Sequence, residues 1–116
     1  MELPQEIEVW YIIPSIRKAL AEHMMANGAR QKDVAKRLGI AKSAVSQYLS
    51  RQRGCGIKLG SKAKSEISKA AARIMDGKSC ATAEIQSLCR MLRKDGTVCK
   101  VHRLKDKMAK NCGVCK

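Results

Sequence analysis

Apolar side chains near the start of the chain recur every three to four residues, which is the spacing of one face of an α-helix. They are Ile12, Ile13, Ile16, Leu20 and Met24. Pro14 suits the first turn of such a helix and Gly28 suits its C-terminal end, so the pattern predicts a helix over residues 15–27. The preceding residues 7–13 fit a short helix or a strand, and the acidic, proline-containing segment before them favours the helix.

Two shorter apolar patterns follow, with a glycine between them. Gly39 can adopt the positive φ of a sharp turn, and the small side chain of Ala35 allows two helices to cross closely. The two apolar faces consist of Val34, Ala35 and Leu38 and of Val45, Tyr48 and Leu49. This arrangement predicts a helix-turn-helix over residues 30–50.

Two longer helical patterns lie in the second half of the chain, over residues 61–76 and residues 82–94. Ser61 and Thr82 are candidate N-caps, and a glycine follows each pattern. The apolar faces consist of Ile67, Ala70, Ala71 and Ile74 and of Ile85, Leu88, Cys89 and Leu92. Packing of helix on helix, within one chain or across a dimer, would bury these faces. The predicted fold class is therefore all-α.

Composition narrows the classes of function. The chain has 116 residues, of which 45% are apolar and only 3% aromatic, enough for one small domain or two very small ones. No apolar run approaches the roughly 18 residues of a membrane span. The sequence offers no Ser-His-Asp set, carboxylate pair or phosphate-binding glycine loop, so we expect neither a membrane protein nor an enzyme. The N-terminus lacks a secretory pattern, and we expect a cytoplasmic protein.

Charge and cysteine content divide the chain, whose formal net charge is +14. Residues 1–53 hold nine basic and five acidic residues and no cysteine, whereas residues 54–116 hold fifteen basic and five acidic residues and all six cysteines. The basic, glycine-containing stretch at residues 51–56 is typical of a linker. We therefore predict a helix-turn-helix domain over residues 1–53 and a helical, cysteine-rich region over residues 54–116.

The spacing of the last cysteines is typical of a metal site, and a reducing cytoplasm favours ligands over disulfides. Zinc would take Cys99, His102, Cys112 and Cys115 as a closed tetrahedral site. An iron–sulfur cluster would take four thiolates, Cys89, Cys99, Cys112 and Cys115. We expect the cluster, because several thiols around one site give a sensor a route to oxidation or cluster loss.

Two further cysteines lie outside this group. Cys55 stands between two glycines in the predicted linker, and Cys80 stands near the start of the last predicted helix. Cys55 could be a free thiol, a redox-active partner or a ligand, and Cys80 could replace Cys89 or pack as a small side chain.

Residues 30–50, with Ala35, Gly39, Val45 and the basic residues that follow, resemble the lambda-repressor/Cro-type (XRE-like) helix-turn-helix. The run Val-Trp-Tyr-Ile-Ile-Pro-Ser-Ile-Arg at residues 9–17 and the run Ala-Val-Ser-Gln-Tyr-Leu-Ser at residues 44–50 resemble archaeal transcription regulators of that class. Some of those regulators continue into a thiamine-phosphate-binding domain, and others end in a short cysteine-rich tail. This chain is similar to the second kind.

The resemblance implies a way of binding DNA. In that family the second helix of the motif lies in the major groove and the first crosses the phosphate backbone. Carried onto this sequence, the recognition helix covers residues 42–50, and its outward side chains would contact base edges. They are Lys42, Ser43, Ser46 and Gln47. Gln31 would hold a phosphate or brace the recognition helix, and Arg51 and Arg53 would add phosphate contacts.

The resemblance also favours Cys89 as a ligand, since residues 88–93 and 98–103 are similar to recurring parts of those cysteine-rich tails. We therefore expect a homodimer that binds an inverted repeat in double-stranded DNA and regulates transcription. Its C-terminal iron–sulfur cluster would sense redox state or iron–sulfur supply. The alternative is a DNA- or RNA-binding protein with a structural zinc site and no sensing role, and a third hypothesis is an adaptor whose tail binds a protein partner.

Overall fold

The computed structural model describes residues 8–50 and 59–97, and every regular element in these two ranges is helical. A π-helical turn at Glu8–Ile12 runs directly into the first α-helix. The α-helices are α1 (Ile13–Ala26), α2 (Gln31–Leu38), α3 (Lys42–Leu49), α4 (Ser61–Met75) and α5 (Ala81–Lys94). The all-α prediction is confirmed for this part of the chain, where no helix is long and apolar enough to cross a membrane.

Helix α1 is central, because it packs against each of the other four α-helices. Ile16, Leu20 and Met24 are fully buried along it, and their spacing of four residues places them on one face. Pro14 lies in the first turn, where a helix needs no backbone N–H donor. The predicted helix over residues 15–27 is confirmed to within two residues.

Helices α2 and α3 are joined by a tight turn at residues 39–41. Gly39 has a φ of 68°, a left-handed conformation that costs a residue with a Cβ atom about 1–2 kcal/mol. Beyond it, the Ile40 N–H donates to the Ala35 carbonyl at 3.0 Å, which closes the C-terminus of α2. The apolar faces buried on either side of this turn include Val34, Ala35, Leu38, Val45 and Tyr48.

Helices α4 and α5 run antiparallel and are joined by a polar contact. Arg73 donates two hydrogen bonds of 2.8 Å to the two carboxylate oxygens of Glu84, which is buried. The hydrogen bonds from Arg73, helped by one from Ser79, hold the pKa of Glu84 below its ordinary value against the opposing effect of burial. On the side of α2, the Arg37 guanidinium donates to the Ile74 carbonyl at 2.8 Å, which ties α2 to the end of α4.

The N-caps of α4 and α5 differ from the predicted ones. Gly60 and Cys80 hold these positions with extended backbones, and neither donates or accepts a side-chain cap hydrogen bond. The predictions for Ser61 and Thr82 were wrong because both helices begin one or two residues earlier than a hydroxyl cap would place them.

Helices from both predicted domains contribute to one hydrophobic core. The apolar faces of α4 and α5 are buried within the single chain, against α1 and against each other. A dimer would therefore have to use other surfaces. The predicted division between residues 53 and 54 lies outside the described residues and stays a prediction.

Candidate nucleic-acid interface

Helix α3 is held to the rest of the molecule by its apolar side chains. Its main contacts are with α1 and α2. Val45 and Tyr48 are buried as the sequence predicted, and Leu49 is half-buried. Ala44 is also buried, which the sequence analysis missed although its position next to Val45 and four residues before Tyr48 places it on the same side of the helix.

The opposite side of α3 is polar and exposed. Lys42, Ser43 and Ser46 are exposed, and Lys42 has no ion-pair partner among the residues described. One cation and two hydroxyl groups of α3 thus have no side-chain hydrogen-bond partner among the described residues. Such groups can donate to or accept from base edges.

Gln47 differs from these three side chains. It is half-buried, and its Oε1 atom is enclosed without a hydrogen-bond partner within the described ranges. An unpaired buried acceptor costs about 1–3 kcal/mol, so the amide gains free energy by any rotation that gives it a partner. Gln47 therefore does not present its amide oxygen to solvent as the sequence analysis expected.

Helix α2 begins with Gln31, which is half-buried. The N-terminal residues of α2 and α3 follow Arg30 and Ala41, and neither residue provides a side-chain cap. Uncapped helix N-termini retain free N–H groups and a partial positive charge that favour phosphate. The predicted phosphate contacts Arg51 and Arg53 lie outside the described residues.

Two exposed cations on α2 were missed by the sequence analysis. Lys32 and Lys36 are exposed and have no ion-pair partner in the described parts of the chain. Their spacing of four residues on the polar face of α2 was the signal that could have identified them. With Lys42, they give the α2–α3 pair three lysines without an ion-pair partner in the described residues, and Asp33 is the one acidic residue of the two helices.

The cysteines are only partly within the described residues. Cys89 is 7% exposed on the inward face of α5, within the hydrophobic core. Cys80 is exposed at the N-cap of α5. The other candidate ligands, Cys55, Cys99, His102, Cys112 and Cys115, lie outside the described residues.

The position of Cys89 is that of a small apolar side chain. Free cysteine is among the most buried residue types and packs as a small hydrophobe. The described residues contain no group of three His, Cys, Asp or Glu side chains that could hold an ion, and the other candidate ligands except Cys80 lie outside them. Cys89 also lines a surface groove with Val9, Ile13 and Arg90, and its role as a ligand stays a prediction.

Comparisons with protein-family models, with curated proteins and with solved structures gave no match to this chain.

Proposed function

We propose that the protein is a sequence-specific DNA-binding regulator of transcription that reads DNA with α3. The observation that carries the proposal is the division of α3 into an apolar side, fixed on α1 and α2, and a polar side on which Lys42, Ser43 and Ser46 are exposed. The sharp turn at Gly39 and the short helix α2 before it support the resemblance to XRE-like helix-turn-helix regulators.

Each part of the α2–α3 pair has a distinct task in this proposal. Lys42 donates to guanine O6 and N7, and the two serine hydroxyls bond to either donors or acceptors on base edges. Gln47 contributes after its side chain rotates, when its amide pairs with adenine. Gln31 and the lysines of α2 contact phosphates, which sets affinity and its dependence on salt.

The proposal includes a homodimer on an inverted repeat. Two copies related by a two-fold axis would place two α3 helices about one helical turn of DNA apart, roughly 34 Å. The apolar faces of α4 and α5 are already used within one chain, so the dimer contact would come from other residues.

We propose further that the cysteine-rich tail holds a metal centre. The burial of Cys89 favours the ligand set in which Cys99, His102, Cys112 and Cys115 bind zinc over the set in which Cys89 completes an iron–sulfur cluster. Colour and metal content of anaerobically purified protein distinguish the two. One zinc per chain in a colourless protein supports the structural site, and brown protein with iron and sulfide supports the cluster and a sensing role.

The DNA-reading role is tested by selecting preferred duplexes from a random-sequence pool. The affinity ratio between the selected duplex and a random duplex is then measured at one fixed salt concentration. For the double variant Lys42→Ala/Ser46→Ala we expect this ratio to fall at least about 10-fold, because each good base contact provides about 1–3 kcal/mol of discrimination.

The matched control is Lys64→Ala/Ser65→Ala, which removes the same two side-chain types from exposed positions of α4. This variant should keep the wild-type ratio. A selection that yields no preferred sequence, or equal ratios for both double variants, would remove the proposed role of α3.

A further inference from the structure

A groove at one end of the α4–α5 pair gathers cations from both helices. Lys62 in the first turn of α4 lines one side of it. The rest of its lining comes from α5, from its middle onward, and from the residue after it, namely Ser87, Arg90, Met91, Lys94 and Asp95. All of these side chains except Met91 are exposed. The groove lies on a different pair of helices from α3, which packs mainly on α1 and α2.

The described residues offset only part of the positive charge of the groove. Lys62, Arg90 and Lys94 form no ion pair with any described residue, whereas three other cations of α1 and α4 each have a carboxylate partner. Asp95 is the one acidic residue in the lining. Its Oδ1 atom accepts hydrogen bonds from the N–H and the hydroxyl of Thr97, at 3.0 and 2.6 Å. The groove therefore keeps a local excess of positive charge.

Helix electrostatics account for only part of this arrangement. Cations in the last turns of α5, such as Arg90 and Lys94, are favoured by the negative end of the helix dipole. Lys62 lies at the positive end of α4, where the dipole disfavours a cation, and the first turn of α4 has no acidic residue to offset it. An anion between the two helices would favour all three side chains at once.

We propose that this groove binds phosphate groups of a nucleic-acid backbone, independently of base sequence. The planar guanidinium of Arg90 can donate two parallel hydrogen bonds to one phosphate, the two lysines supply point charges, and the Ser87 hydroxyl supplies a further donor. The inference rests on the proposed DNA-binding function and adds a second contact surface that sets affinity but reads no bases.

The test compares the salt dependence of binding to a random-sequence duplex for three proteins. These are the wild type, the groove variant Lys62→Ala/Arg90→Ala/Lys94→Ala, and the control variant Lys64→Ala/Lys69→Ala/Lys78→Ala. Each phosphate contact contributes about 0.9 to the slope of log affinity against log salt, so the groove variant should lose about 2 to 3 from its slope. The control removes the same net charge from exposed lysines outside the groove and should lose less than about 1.

A charge-conserving variant, Lys62→Arg/Arg90→Lys/Lys94→Arg, should keep most of the wild-type slope. Circular dichroism melting confirms that each variant is folded. Equal losses in the groove and control variants would mean that only net charge matters, and they would overturn the proposal, as would an unchanged slope.

Two further outcomes separate the possible failures. If selection yields no preferred sequence while the groove variant still loses slope on random duplex, the reading role of α3 fails and the groove stands. A titration with inorganic pyrophosphate tests whether the groove binds a free phosphate compound instead. Binding is monitored by the amide chemical shifts of Ser87 and Arg90. Saturation by pyrophosphate together with an unchanged duplex slope would assign the groove to a free phosphate compound and overturn the nucleic-acid assignment.

Discussion

The α2–α3 pair and the α4–α5 pair both pack on α1, but they are stabilised differently. Helices α2 and α3 have 8 residues each, whereas α4 has 15 and α5 has 14. Arg73 and Glu84 join α4 to α5, and no side-chain hydrogen bond or ion pair joins α2 to α3 in the described residues. Helices of eight residues are marginal alone, so α2 and α3 depend on their apolar faces.

This difference explains why the polar side of α3 is available for binding. The α2–α3 pair is fixed mainly by packing and by one glycine turn, although Arg37 of α2 also donates to the Ile74 carbonyl. On α3, the side chains of Lys42, Ser43 and Ser46 form no hydrogen bond or ion pair with the described residues. The α4–α5 pair uses Arg73 internally and leaves its other cations at the surface. The larger share of the basic residues, which lies in residues 54–116, is therefore divided between the tail and the two helices α4 and α5 that pack on α1.

The largest expected effect comes from truncating the helix that both pairs share. Leu20→Ala removes a fully buried side chain of α1, and such changes cost about 2–5 kcal/mol. Because both pairs pack on α1, we expect urea unfolding by circular dichroism to remain a single transition at lower urea. Hydrogen exchange should accelerate in α3 and α5 together.

Val9→Ala is the control for this change, since Val9 is 57% exposed and its truncation should cost less than about 0.5 kcal/mol. Accelerated exchange confined to α3, with α5 unchanged, would contradict a shared core. It would instead favour the two separate domains predicted from composition.

The next largest expected effect is a difference in stability between substitutions of the two described cysteines. Cys89→Ser places a hydroxyl group in the core and should cost about 1–3 kcal/mol, whereas Cys80→Ser at an exposed position should stay within about 0.5 kcal/mol. Unfolding is measured on protein treated with a chelator, and metal content is measured separately. If Cys89→Ser loses bound metal without losing stability after chelation, Cys89 is a ligand and its burial in the core is not its role.

How far sequence reasoning reaches is clearest at these residues. Apolar spacing and glycine positions located α1, α4 and α5 to within about two residues, because burial and backbone conformation depend on local pattern. Cys89 satisfied two patterns at once, an apolar helix face and a cysteine series; its burial confirms the first, and the second stays a prediction. The Arg73–Glu84 contact could not be predicted, since it depends on how two helices cross and not on a spacing along one helix.

Removing the carboxylate that joins α4 to α5 should have a smaller effect. Glu84→Gln should cost about 1–2 kcal/mol at neutral pH, at the lower end for charged hydrogen bonds because solvent screens the Arg73 end. The folded-state pKa of Glu84 lies below its ordinary value of 4.5. Its contribution is therefore complete above about pH 4.5 and is lost as the pH falls through the lowered folded-state pKa.

The pH dependence gives the control for this prediction. Urea midpoints of the wild type and of Glu84→Gln should converge as the pH falls from about 6 toward 3, because the wild type loses what the variant already lacks. Parallel curves over that interval would mean that Glu84 is equally protonated in the folded and unfolded states, and that the α4–α5 pair is held by packing alone, like the α2–α3 pair.

The smallest expected effect is a difference in stability between alanine substitutions of two glycines, one in the turn between α2 and α3 and one at the start of α4. Gly39→Ala forces a Cβ atom into a left-handed conformation with φ of 68° and should cost about 1 kcal/mol. Gly60→Ala is its match, because Gly60 has φ of −69° and no described atom lies within 4 Å of an added Cβ atom. The entropy that alanine removes from the unfolded chain offsets its poorer N-cap preference, so the change should be close to neutral. Thermal unfolding compares the stability of the two variants, and duplex selection then shows whether the turn matters for reading DNA.

If α3 reads DNA, strain at Gly39 should lower discrimination as well as stability, because α3 is oriented by this turn, whereas Gly60→Ala should change neither. Equal stability losses in the two variants would mean that the left-handed turn does not set the position of α3.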